Sequence, residues 1–499
     1  MQLNELASQL AVSRIEGNGH IEITGIEIDS RKVKKGDLFV CISAKNGIED
    51  RHLYVEQAVS NGAVALVVEH DVDSTVPKLF VKDTWSALAE ISCHLYGYPS
   101  KELKLIGITG TNGKTTTTYL LEKLLSSQGH VTGLMGNIEI KIGSDYITNH
   151  GSNTQESFDL QRYLRLMADA GTDYCMMEVS SHGLDMGRVK GCSFRTAIFT
   201  NLTQDHLDYH GSMEAYKAAK GLLFARLGND YSPLPQDQRY AVLNADDSAS
   251  EDYAKLTSAQ VVTYGIHSIA DVRAEDIQIT SQGTAFTCVT FRGTIPIQTQ
   301  LIGEFNVYNT LAAVTAALLE GVSLEAISQR LKSNTVVEGR MEVVDAGQDF
   351  LVLVDYAHTP DGLEKALSTI SQFVEGHIHC VFGCGGDRDR LKRPIMGKVA
   401  ARYSDYLYVT SDNPRKEDPQ SILLDIVPGL VEVDFPAERY QLIADRRAAI
   451  QLAIANAVHG DVVLIAGKGH ETYQDINGIK HDFDDRLVAK EAIRGRNHD

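Results

Sequence analysis

The stretch Ile-Gly-Ile-Thr-Gly-Thr-Asn-Gly-Lys-Thr-Thr, from Ile106 to Thr116, decides the fold of the middle of this chain. It joins an apolar segment, expected to be a strand at 105–108, to a segment expected to be a helix at 115–125. In such a glycine-rich turn the backbone N–H groups and the helix N-terminus point at an anion, so the stretch predicts a phosphate-binding loop. Lys114 would reach the β- and γ-phosphates of a nucleotide, and the Thr115 hydroxyl would bind Mg²⁺.

The loop is shorter than a standard P-loop, because Ile108 stands where the standard spacing has glycine. The alternative interpretation is a glycine-rich turn in an ordinary α/β domain. The strand before the turn and the Lys114-Thr115 pair after it favour the phosphate loop.

The composition is typical of a globular protein with several domains. The length of 499 residues predicts about three domains, and 43% hydrophobic with 23% charged residues lies near the globular average. No apolar run approaches the ~20 residues that span a membrane. Residues 1–12 have neither the basic start nor the apolar core of a signal peptide. We therefore expect a cytoplasmic protein that binds no membrane.

The net charge and the cysteine content further limit the class of protein to which this chain can belong. The net charge of −19 lacks the basic footprint of a nucleic-acid-binding protein, so an anionic substrate would need local positive sites. The 7 cysteines include no Cys-x-x-Cys pair, and no second pair or histidine spacing completes a zinc site with Cys380 and Cys384. Reduced, mostly buried thiols are expected.

Three segments follow one another along the chain. The first ends at about Pro99, where residues 98–100 predict a hinge, and the third begins near Glu338. Alternating strands and helices in the second predict a mostly parallel sheet with its chemistry at the carboxyl ends of the strands. The expected strands are 39–42, 63–68, 105–108, 173–178, 196–202, 241–244, 261–264, 350–354, 378–382, 406–410 and 461–465, and the expected helices include 115–125 and 214–224.

Four strand ends of the third segment are rich in glycine and charged residues. They are Asp355-Tyr-Ala-His358, Gly383-Cys-Gly-Gly-Asp-Arg388, Ser411-Asp-Asn-Pro-Arg415 and Gly467-Lys-Gly-His-Glu471. Turn formation alone could account for their Gly, Asp and Pro residues. It does not account for Arg388, Arg415 and Glu471 together, so the pattern predicts one rim that binds a small ligand.

Two strand ends of the middle segment offer metal ligands. Glu178 could hold Mg²⁺ against a nucleotide, and the alternative is a surface carboxylate at a strand end. His206 lies among polar and acidic neighbours from Asn201 to Asp208, which favours a metal or phosphate ligand over a structural histidine. Spacing alone predicts that Lys220, in the expected helix at 214–224, is a surface lysine.

An ordered set of motifs resembles that of the Mur ligases. The set is Gly110-Thr-Asn-Gly-Lys-Thr115, Glu178-Val-Ser-Ser181, Asn201-x3-Asp205-His206-x-Asp208, Asn306-Val-Tyr-Asn309 and Glu338-Gly-Arg-Met-Glu342. The runs that begin at Asp355, Gly385, Asp412 and Gly467 narrow the resemblance to the member that adds the third residue of the peptidoglycan stem peptide. The match extends from about Thr24 to Asp484, and so many motifs in order are highly specific.

The resemblance implies an α/β fold of three domains. They would be an N-terminal mixed α/β UDP-binding domain at 1–99, a central P-loop parallel-sheet ATPase domain at 100–337 and a C-terminal Rossmann-like, amino-acid-binding domain at 338–499. The implied reaction joins meso-diaminopimelate to UDP-N-acetylmuramoyl-L-alanyl-D-glutamate through an acyl phosphate, at the expense of ATP. That activity belongs to cytoplasmic peptidoglycan synthesis, hence to cell shape and division, and the enzyme is expected to be a monomer.

The resemblance also assigns residues by substrate. ATP binding is implied for Gly110, Thr111, Asn112, Gly113, Lys114, Thr115, Thr116, Asn306, Asn309, Arg340, Asp355 and His358. Binding of the UDP-muramyl dipeptide is implied for Ser30, Asn153, Thr154, Ser180, Met186 and Arg188. Diaminopimelate binding is implied for Arg388, Asp412, Asn413, Pro414, Arg415, Gly467 and Glu471. Catalytic roles are implied for Lys114, Glu178, His206 and Lys220.

Two Mg²⁺ ions are implied by the same resemblance. Thr115 and Glu178 would hold the first, and the second would lie among Glu178, His206 and Lys220. In this family the lysine at the place of Lys220 is carbamylated by CO₂ to N6-carboxylysine. An ammonium, with a reference pKa of about 10.4, would repel the metals, whereas a carbamate can ligate one.

The run Asp412-Asn-Pro-Arg415 goes with meso-diaminopimelate in this family, whereas L-lysine enzymes differ at the arginine. Diaminopimelate carries an extra carboxylate on its far carbon, which Arg415 and Arg388 could bind bidentately while Glu471 pairs the adjacent ammonium. Lysine would leave an arginine unpaired, at a cost of about 1–3 kcal/mol or more.

The chain departs from the family pattern in two places. Ser152-Asn-Thr-Gln-Glu156 stands where the family usually has Asn-Thr-Thr-Pro, and Met186 stands where it has glutamine. The remaining alternatives are an L-lysine-adding ligase, a folylpolyglutamate synthase-like ligase and a nucleotide-binding regulatory or scaffold protein with a degenerate site. Intact Lys114, Glu178, His206 and Lys220 argue against the last of these.

Overall fold

The computed structural model describes residues 1–45, 48–148, 153–229, 232, 234, 237–333 and 337–496. Within them the helices are α1 (Leu3–Ala7), α2 (Val55–Asn61), α3 (Thr84–Leu95), α4 (Lys114–Ser126), α5 (Ser157–Asp169), α6 (Ser181–Asp185), α7 (Leu207–His210), α8 (Met213–Ala225), α9 (Ala249–Leu256), α10 (Glu304–Leu319), α11 (Leu324–Lys332), α12 (Pro360–Ile370), α13 (Lys392–Tyr403), α14 (Pro419–Glu432), α15 (Arg446–Asn456) and α16 (Asp485–Arg496).

The strands of the same residues are β1 (Ser13–Glu16), β2 (Gly25–Glu27), β3 (Asp37–Val40), β4 (Ala65–Val68), β5 (Lys78–Val81), β6 (Lys104–Thr109), β7 (Thr132–Met135), β8 (Glu139–Ile142), β9 (Asp145–Thr148), β10 (Tyr174–Glu178), β11 (Phe194–Phe199), β12 (Tyr240–Asn244), β13 (Gln260–Gly265), β14 (Val272–Thr280), β15 (Gly283–Thr290), β16 (Gly293–Thr299), β17 (Glu342–Val343), β18 (Leu351–Asp355), β19 (Ile378–Phe382), β20 (Tyr406–Thr410), β21 (Tyr440–Ile443), β22 (Val462–Ala466), β23 (Tyr473–Ile476) and β24 (Ile479–Asp482). Short 3-10 segments cover Arg51–Tyr54, Pro99–Lys101 and Ala437–Arg439.

The N-terminal unit, β1–β5 with α1–α3, is built on a sheet of order β1-β5-β4-β3-β2. Strand β1 runs antiparallel to β5, and the other neighbours are parallel. Apolar side chains are buried on both faces of this sheet. Strand β4 is buried along its whole length, which is typical of a parallel strand covered on both faces.

The central unit, β6–β16 with α4–α11, has the strand order β16-β15-β14-β13-β12-β11-β6-β10-β7-β8-β9. The interior strands β7, β10, β6, β11, β12 and β13 are parallel, and antiparallel pairs extend both edges. Strand β6 lies between β10 and β11, so the carboxyl ends of all three meet. This topology brings the loop after β6 beside Glu178 and the segment that follows β11.

The C-terminal unit, β17–β22 with α12–α16, has the strand order β17-β18-β22-β19-β20-β21. Only β17 is antiparallel to its neighbour among these described strands. Strands β18, β22, β19 and β20 are adjacent, so the four polar strand ends predicted from the sequence share one rim. The hairpin β23–β24 follows β22.

The predicted α/β fold with parallel sheets is confirmed. Strands β19 and β20 have the predicted limits, whereas β11 ends at Phe199 rather than at Leu202. That strand stops early because the side chain and carbonyl of Asn201 bond to the loop after β6. The sequence analysis did not predict the antiparallel pair β8–β9 or the three antiparallel strands β14, β15 and β16. The domain limits and the hinge at 98–100 stay predictions.

Two further expectations concern thiols and membranes. All 7 cysteines lie within the described residues and are free, as predicted. None of the described helices combines the length and the apolar character that crossing a membrane requires.

Candidate active site

The phosphate loop, residues 110–115, depends on its glycines. Gly110 has φ +150° and Gly113 has φ +85°. A Cβ on Gly110 would lie 1.9 Å from Thr200 Oγ1, and one on Gly113 would lie 2.1 Å from Asn309 Oδ1. Asn201 holds the loop from β11, because its Oδ1 accepts a hydrogen bond of 2.9 Å from the Asn112 N–H. The loop conformation therefore requires both glycines and is fixed by the neighbouring strand end.

Lys114 begins α4 and its side chain turns back over the phosphate loop. Its Nζ donates to the carbonyl oxygens of Gly110 at 2.9 Å and Thr111 at 2.8 Å. Burial lowers the pKa of this ammonium, and the charges of Glu178 and Asp205 act in the opposite direction. The predicted phosphate-binding lysine is thus placed beside the loop that it would serve.

Thr115, Glu178 and Arg340 form a connected group across two units. The Thr115 hydroxyl donates to Glu178 Oε1 at 2.9 Å and accepts from Arg340 Nη2 at 3.0 Å. Glu178 is 1% exposed, and its Oε2 has no hydrogen-bond partner among the described residues. A buried carboxylate oxygen beside a threonine hydroxyl is a donor set that suits a hard cation such as Mg²⁺.

Lys220 is buried, so the surface position expected from its spacing is wrong. It is 1% exposed, and its Nζ donates to the Gly110 carbonyl at 2.7 Å. Burial, reinforced by the nearby charge of Lys114, lowers its pKa well below the usual range. Helix α8 covers the phosphate loop with this side chain, an arrangement that helix periodicity alone cannot show.

His206 has the left-handed backbone angle φ +53° at the start of α7. Its Nε2 lies 3.3 Å from Asp205 Oδ2, and burial lowers its pKa to about 4. The sequence analysis missed its ring neighbour His182, whose centroid lies 4.7 Å away. His182 directly follows the quoted Glu178–Ser181 run, so its position after the strand was the available signal.

The predicted contacts for the UDP-muramyl dipeptide fall into two places. Thr154, Ser180 and Arg188 are together, with Thr154 Oγ1 3.0 Å from Ser180 Oγ and the Thr154 carbonyl 2.9 Å from Arg188 Nη1. Ser30 lies in the N-terminal unit, where its hydroxyl donates to Gln57 Oε1 at 2.6 Å. Asn153 is partly exposed and Met186 is buried, so their roles stay predictions. Ser152 lies outside the described residues.

A cavity of about 360 Å³ lies between the central and C-terminal units. Its walls include the predicted ATP-binding residues Asn112, Gly113, Thr116, Asn309, Arg340, Asp355 and His358. Asn306 lies just behind them and accepts a hydrogen bond of 3.1 Å from Asn309 Nδ2. The two units touch at its edge, where Asn112 Nδ2 donates to Asp361 Oδ2 at 2.6 Å. The cavity thus continues from the phosphate loop into a cleft of the size that a nucleoside requires.

At the C-terminal wall of this cavity, Arg340 and Tyr356 line the cavity next to His470, and the sequence analysis had not singled out the two rings. The Arg340 guanidinium lies 4.6 Å from the centroid of the Tyr356 ring, which lies 5.0 Å from that of His470. Asp355 Oδ2 accepts a bond of 2.7 Å from the Met341 N–H, and burial raises its pKa. Burial lowers the pKa of His358.

The rim of the C-terminal unit brings Arg388 and Arg415 together. A Cβ on Gly385 would lie 2.8 Å from Arg415 Nη1 and 3.7 Å from Arg388 Cγ. Burial, followed by the charge of Arg415, lowers the pKa of Arg388. Two neighbouring arginine side chains at one rim are suited to an anionic ligand.

Glu471, Asn413 and Lys468 form the opposite side of this rim. Glu471 Oε2 accepts from Asn413 Nδ2 at 2.8 Å and from the fully buried Lys468 Nζ at 2.9 Å. Asp412 is also buried, and a Cβ on Gly467 would lie 2.6 Å from its Oδ2. Burial raises the pKa of Asp412 but the cations of Lys468 and Arg446 lower it, and the net shift is downward. The sequence analysis did not identify Lys468, although it lies inside the quoted Gly467–Glu471 run.

The amino-acid sequence matches known proteins along nearly the whole chain. Residues 108–317 match the Mur ligase middle domain, and residues 339–469 match the Mur ligase, glutamate ligase domain. A Bacillus cereus protein named UDP-N-acetylmuramoyl-L-alanyl-D-glutamate–2,6-diaminopimelate ligase is 51% identical over 496 residues, which cover 99% of both chains. This chain belongs to the Mur ligase family.

Solved structures give the same result for the fold. A structure of UDP-N-acetylmuramoyl-L-alanyl-D-glutamate–2,6-diaminopimelate ligase has a TM-score of 0.68 and 34% identity and covers 100% of both chains. Mycobacterium tuberculosis folylpolyglutamate synthase, complexed with ADP and AMPPCP, has a TM-score of 0.61 at 18% identity and covers 81% of this chain and 93% of that one. The second likeness shows a shared fold alone.

Proposed function

We propose that this chain is the ATP-dependent ligase that joins meso-diaminopimelate to UDP-N-acetylmuramoyl-L-alanyl-D-glutamate. The observation that carries the proposal is the pair Arg388 and Arg415, which lie together on the rim of the C-terminal unit. The phosphate loop supplies the nucleotide end of the site, and the 51% identical Bacillus cereus relative has this activity in its name.

Mg²⁺ would be held first by Thr115 and Glu178, whose buried and unpartnered Oε2 fits that role. His206 and Lys220, with Glu178, would hold a second ion. Bound Mg²⁺ would neutralise charge that develops on phosphate oxygens during transfer.

Lys220 would serve as a metal ligand after carbamylation. Its burial and the charge of Lys114 disfavour the ammonium form. The neutral amine can form an N–C bond to CO₂ and release one proton, which converts a cation into an anion. This change would also remove the repulsion between Lys220 and Lys114 beside the Gly110 carbonyl.

The chemistry of the ligation follows from the placement of these groups. The γ-carboxylate of the D-glutamate residue would attack the γ-phosphate of ATP and form an acyl phosphate with release of ADP. Lys114 would leave the loop carbonyls and stabilise the transferred phosphoryl group. The amine of diaminopimelate would then attack the acyl carbon and expel phosphate. Because acyl phosphates hydrolyse, the cleft between the central and C-terminal units would have to exclude water.

Selectivity for the amino acid would come from the rim. Arg388 and Arg415 would bind the far carboxylate of diaminopimelate, and the Glu471 carboxylate would pair the neighbouring ammonium. Asp412, Asn413, Pro414 and Gly467 would shape this pocket. L-Lysine lacks the far carboxylate and would leave a partly buried arginine unpaired.

The UDP-muramyl dipeptide would bind between the N-terminal and central units. Thr154, Ser180 and Arg188 already form one polar group and would contact the muramyl dipeptide, with Asn153 and Met186 beside them. Ser30 would contact the UDP end. We propose further that the protein acts as a monomer in the cytoplasm, where ATP and the nucleotide-linked precursor would be available.

Phosphate release tests the proposal. The protein should release phosphate from ATP only when Mg²⁺, the UDP-muramyl dipeptide and meso-diaminopimelate are all present. Release that depends on a folate and glutamate would favour the folylpolyglutamate synthase alternative. No release with any acceptor would favour a regulatory or scaffold protein.

A further inference from the structure

Arg393 is a fully buried cation at the start of α13, outside the residues assigned to any substrate. Its Nη1 donates to Glu417 Oε2 at 3.0 Å and to Asp425 Oδ2 at 2.9 Å. Its Nη2 donates to Glu417 Oε1 at 2.8 Å and reaches the Gly385 carbonyl at 3.3 Å. The guanidinium therefore binds the Glu417 carboxylate bidentately, which a lysine could not reproduce.

Glu417 connects Arg393 to the loop that contains Arg388. Its Oε1 accepts a hydrogen bond of 2.5 Å from the Asp387 N–H. Asp387 has the left-handed backbone angle φ +51°, and its N–H points to the Glu417 carboxylate. The hydrogen bonds of Arg393 lower the pKa of Glu417 to about 2, so the carboxylate is ionised at neutral pH.

The loops after β19 and β20 are also fitted directly to each other. The Gly386 N–H donates to the Asn413 carbonyl at 2.9 Å, and Arg415 Nη1 donates to the Gly386 carbonyl at 2.7 Å. A Cβ on Gly386 would lie 1.9 Å from the Pro414 carbonyl oxygen. A small shift of one loop would therefore move the arginine on the other.

We propose that Arg393 and Glu417 are positioning residues that set the separation and direction of Arg388 and Arg415, and thereby the affinity for diaminopimelate. This inference rests on the proposed function of the rim. Arg393 and Glu417 bond to each other and to backbone atoms of the loop at Gly385 and Asp387, and Asp425 holds Arg393 from α14. Their loss should weaken amino acid binding before it affects either nucleotide.

Arg390 provides a matched control. It lies three residues before Arg393, just ahead of α13, and shares the partner Asp425, at 2.8 Å from its Nη2. Its side chain is 63% exposed, and in the described part of the chain its hydrogen bonds run to Asp425 and not to either loop. Arg390→Gln removes a guanidinium group, as Arg393→Gln does, and should leave the conformation of both loops unchanged.

The experiment measures KM for meso-diaminopimelate, ATP and the UDP-muramyl dipeptide in full-length variants. Arg393→Gln and Glu417→Gln should each raise the KM for diaminopimelate by roughly tenfold or more, with both nucleotide KM values within about twofold of wild type. Arg393→Lys, which keeps the charge but not the bidentate geometry, should fall between wild type and Arg393→Gln. Arg390→Gln should match wild type.

Glu417→Gln keeps the test decisive if Arg393→Gln does not fold, because Glu417 is partly exposed and glutamine keeps its shape. Unchanged KM values in Glu417→Gln, or an equal rise for all three substrates, would overturn the inference. A wild-type protein that uses L-lysine instead would refute the proposed function, and the same comparison made with lysine would then decide on Arg393 and Glu417. A wild-type protein without amino-acid-dependent turnover would refute both.

Discussion

Two lysines donate to the same carbonyl oxygen in the centre of this molecule. Lys114 Nζ lies 2.9 Å and Lys220 Nζ 2.7 Å from the oxygen of Gly110. Lys220 is buried and Lys114 is half-buried, and burial together with the charge of Lys114 strongly lowers the pKa of Lys220. Uncharged Lys220 is the form that reacts with CO₂, which links the burial of this residue to its proposed modification.

Substitution of Lys220 tests that link. Lys220→Ala should reduce ligation at least about 10²-fold while the fold is kept, because the proposed second metal site loses an anionic ligand. Bicarbonate with a small carboxylic acid should partly restore the rate. Lys217→Ala on the same helix is the control, since its side chain is 38% exposed and pairs with Asp252. Wild-type turnover in Lys220→Ala, measured as phosphate release, would exclude the role.

Lys114→Ala tests the nucleotide site. The variant should lose ATP turnover, because it lacks the ammonium that would stabilise the transferred phosphoryl group. The measurement is phosphate release with all three substrates, with circular dichroism as the control for folding. Phosphate release near the wild-type rate would place the nucleotide elsewhere in the molecule.

Residue patterns predicted the loop, Thr115 and Glu178 because strand ends and glycine spacing are local properties. The burial of Lys220 and Arg393 depends on which helix covers which loop, and a single sequence does not contain that information directly. Lys468 lay within a quoted run and His182 directly after one, yet spacing alone did not distinguish either of them from turn residues.

A buried ion pair joins helix α16 to the start of α15, beside the apolar contacts that Val488, Ala489 and Ile493 make in the core. Arg446, at the start of α15, binds Asp485 with hydrogen bonds of 2.8 Å and 2.7 Å, and both side chains are fully buried. Such a pair contributes little net stability relative to apolar residues, but the loss of one partner leaves an unpaired buried charge.

Arg446→Met should therefore lower the free energy of unfolding by about 3–5 kcal/mol. Urea denaturation followed by circular dichroism measures the effect as a lower midpoint for the transition of the C-terminal unit. The neighbouring Arg447→Met is the control, because Arg447 is 46% exposed and pairs with the exposed Glu491. It should change stability by less than about 1 kcal/mol. Equal effects of the two substitutions would show that burial of the arginine does not determine the loss in free energy of unfolding.

The loop after β20 is the element that would determine selectivity for the amino acid. Pro414 restricts its own φ and that of Asn413, and Arg415 has φ +52° with its N–H bonded to the Asp475 carbonyl at 2.9 Å. The backbone thus directs the guanidinium, and alanine would meet the same backbone strain as arginine.

Arg415→Ala should lower kcat/KM for diaminopimelate by about 10²-fold or more, because one partner of a charge-assisted pair is removed. Binding of ATP and of the UDP-muramyl dipeptide should barely change, and activity with L-lysine should not fall. Steady-state kinetics with Lys416→Ala, one residue further and exposed, provides the control. An equal loss with both amino acids would contradict the role of Arg415.

Several strands that are buried along their whole length could be predicted from the sequence, although the buried strand β7 was not. Parallel strands such as β6, β10 and β22 are apolar along their length, so their limits were found to within one or two residues. The edge strands β14, β15 and β16, which are partly exposed along their length, and the pair β8–β9, which is mostly exposed or half-buried, were missed. Their side chains face water on one side and resemble loop sequence.

At the scale of the whole molecule, the site belongs to no single unit. The phosphate loop and Glu178 come from the central sheet, whereas Arg340, His358 and the two rim arginines come from the C-terminal unit. Contacts such as Asn112 with Asp361 and Thr115 with Arg340 join them. The sequence predicted which strand ends carry chemistry, but not which ends from different sheets would meet.

A competition between amino acids tests the central claim most directly. The protein is incubated with ATP, Mg²⁺, UDP-N-acetylmuramoyl-L-alanyl-D-glutamate and equal concentrations of meso-diaminopimelate and L-lysine, and the nucleotide products are identified by mass spectrometry. We expect the diaminopimelate-containing tripeptide to exceed the lysine product by about 10²-fold or more, as an unpaired arginine in the rim requires. A lysine product in equal or greater amount, or no tripeptide at all, would contradict the account.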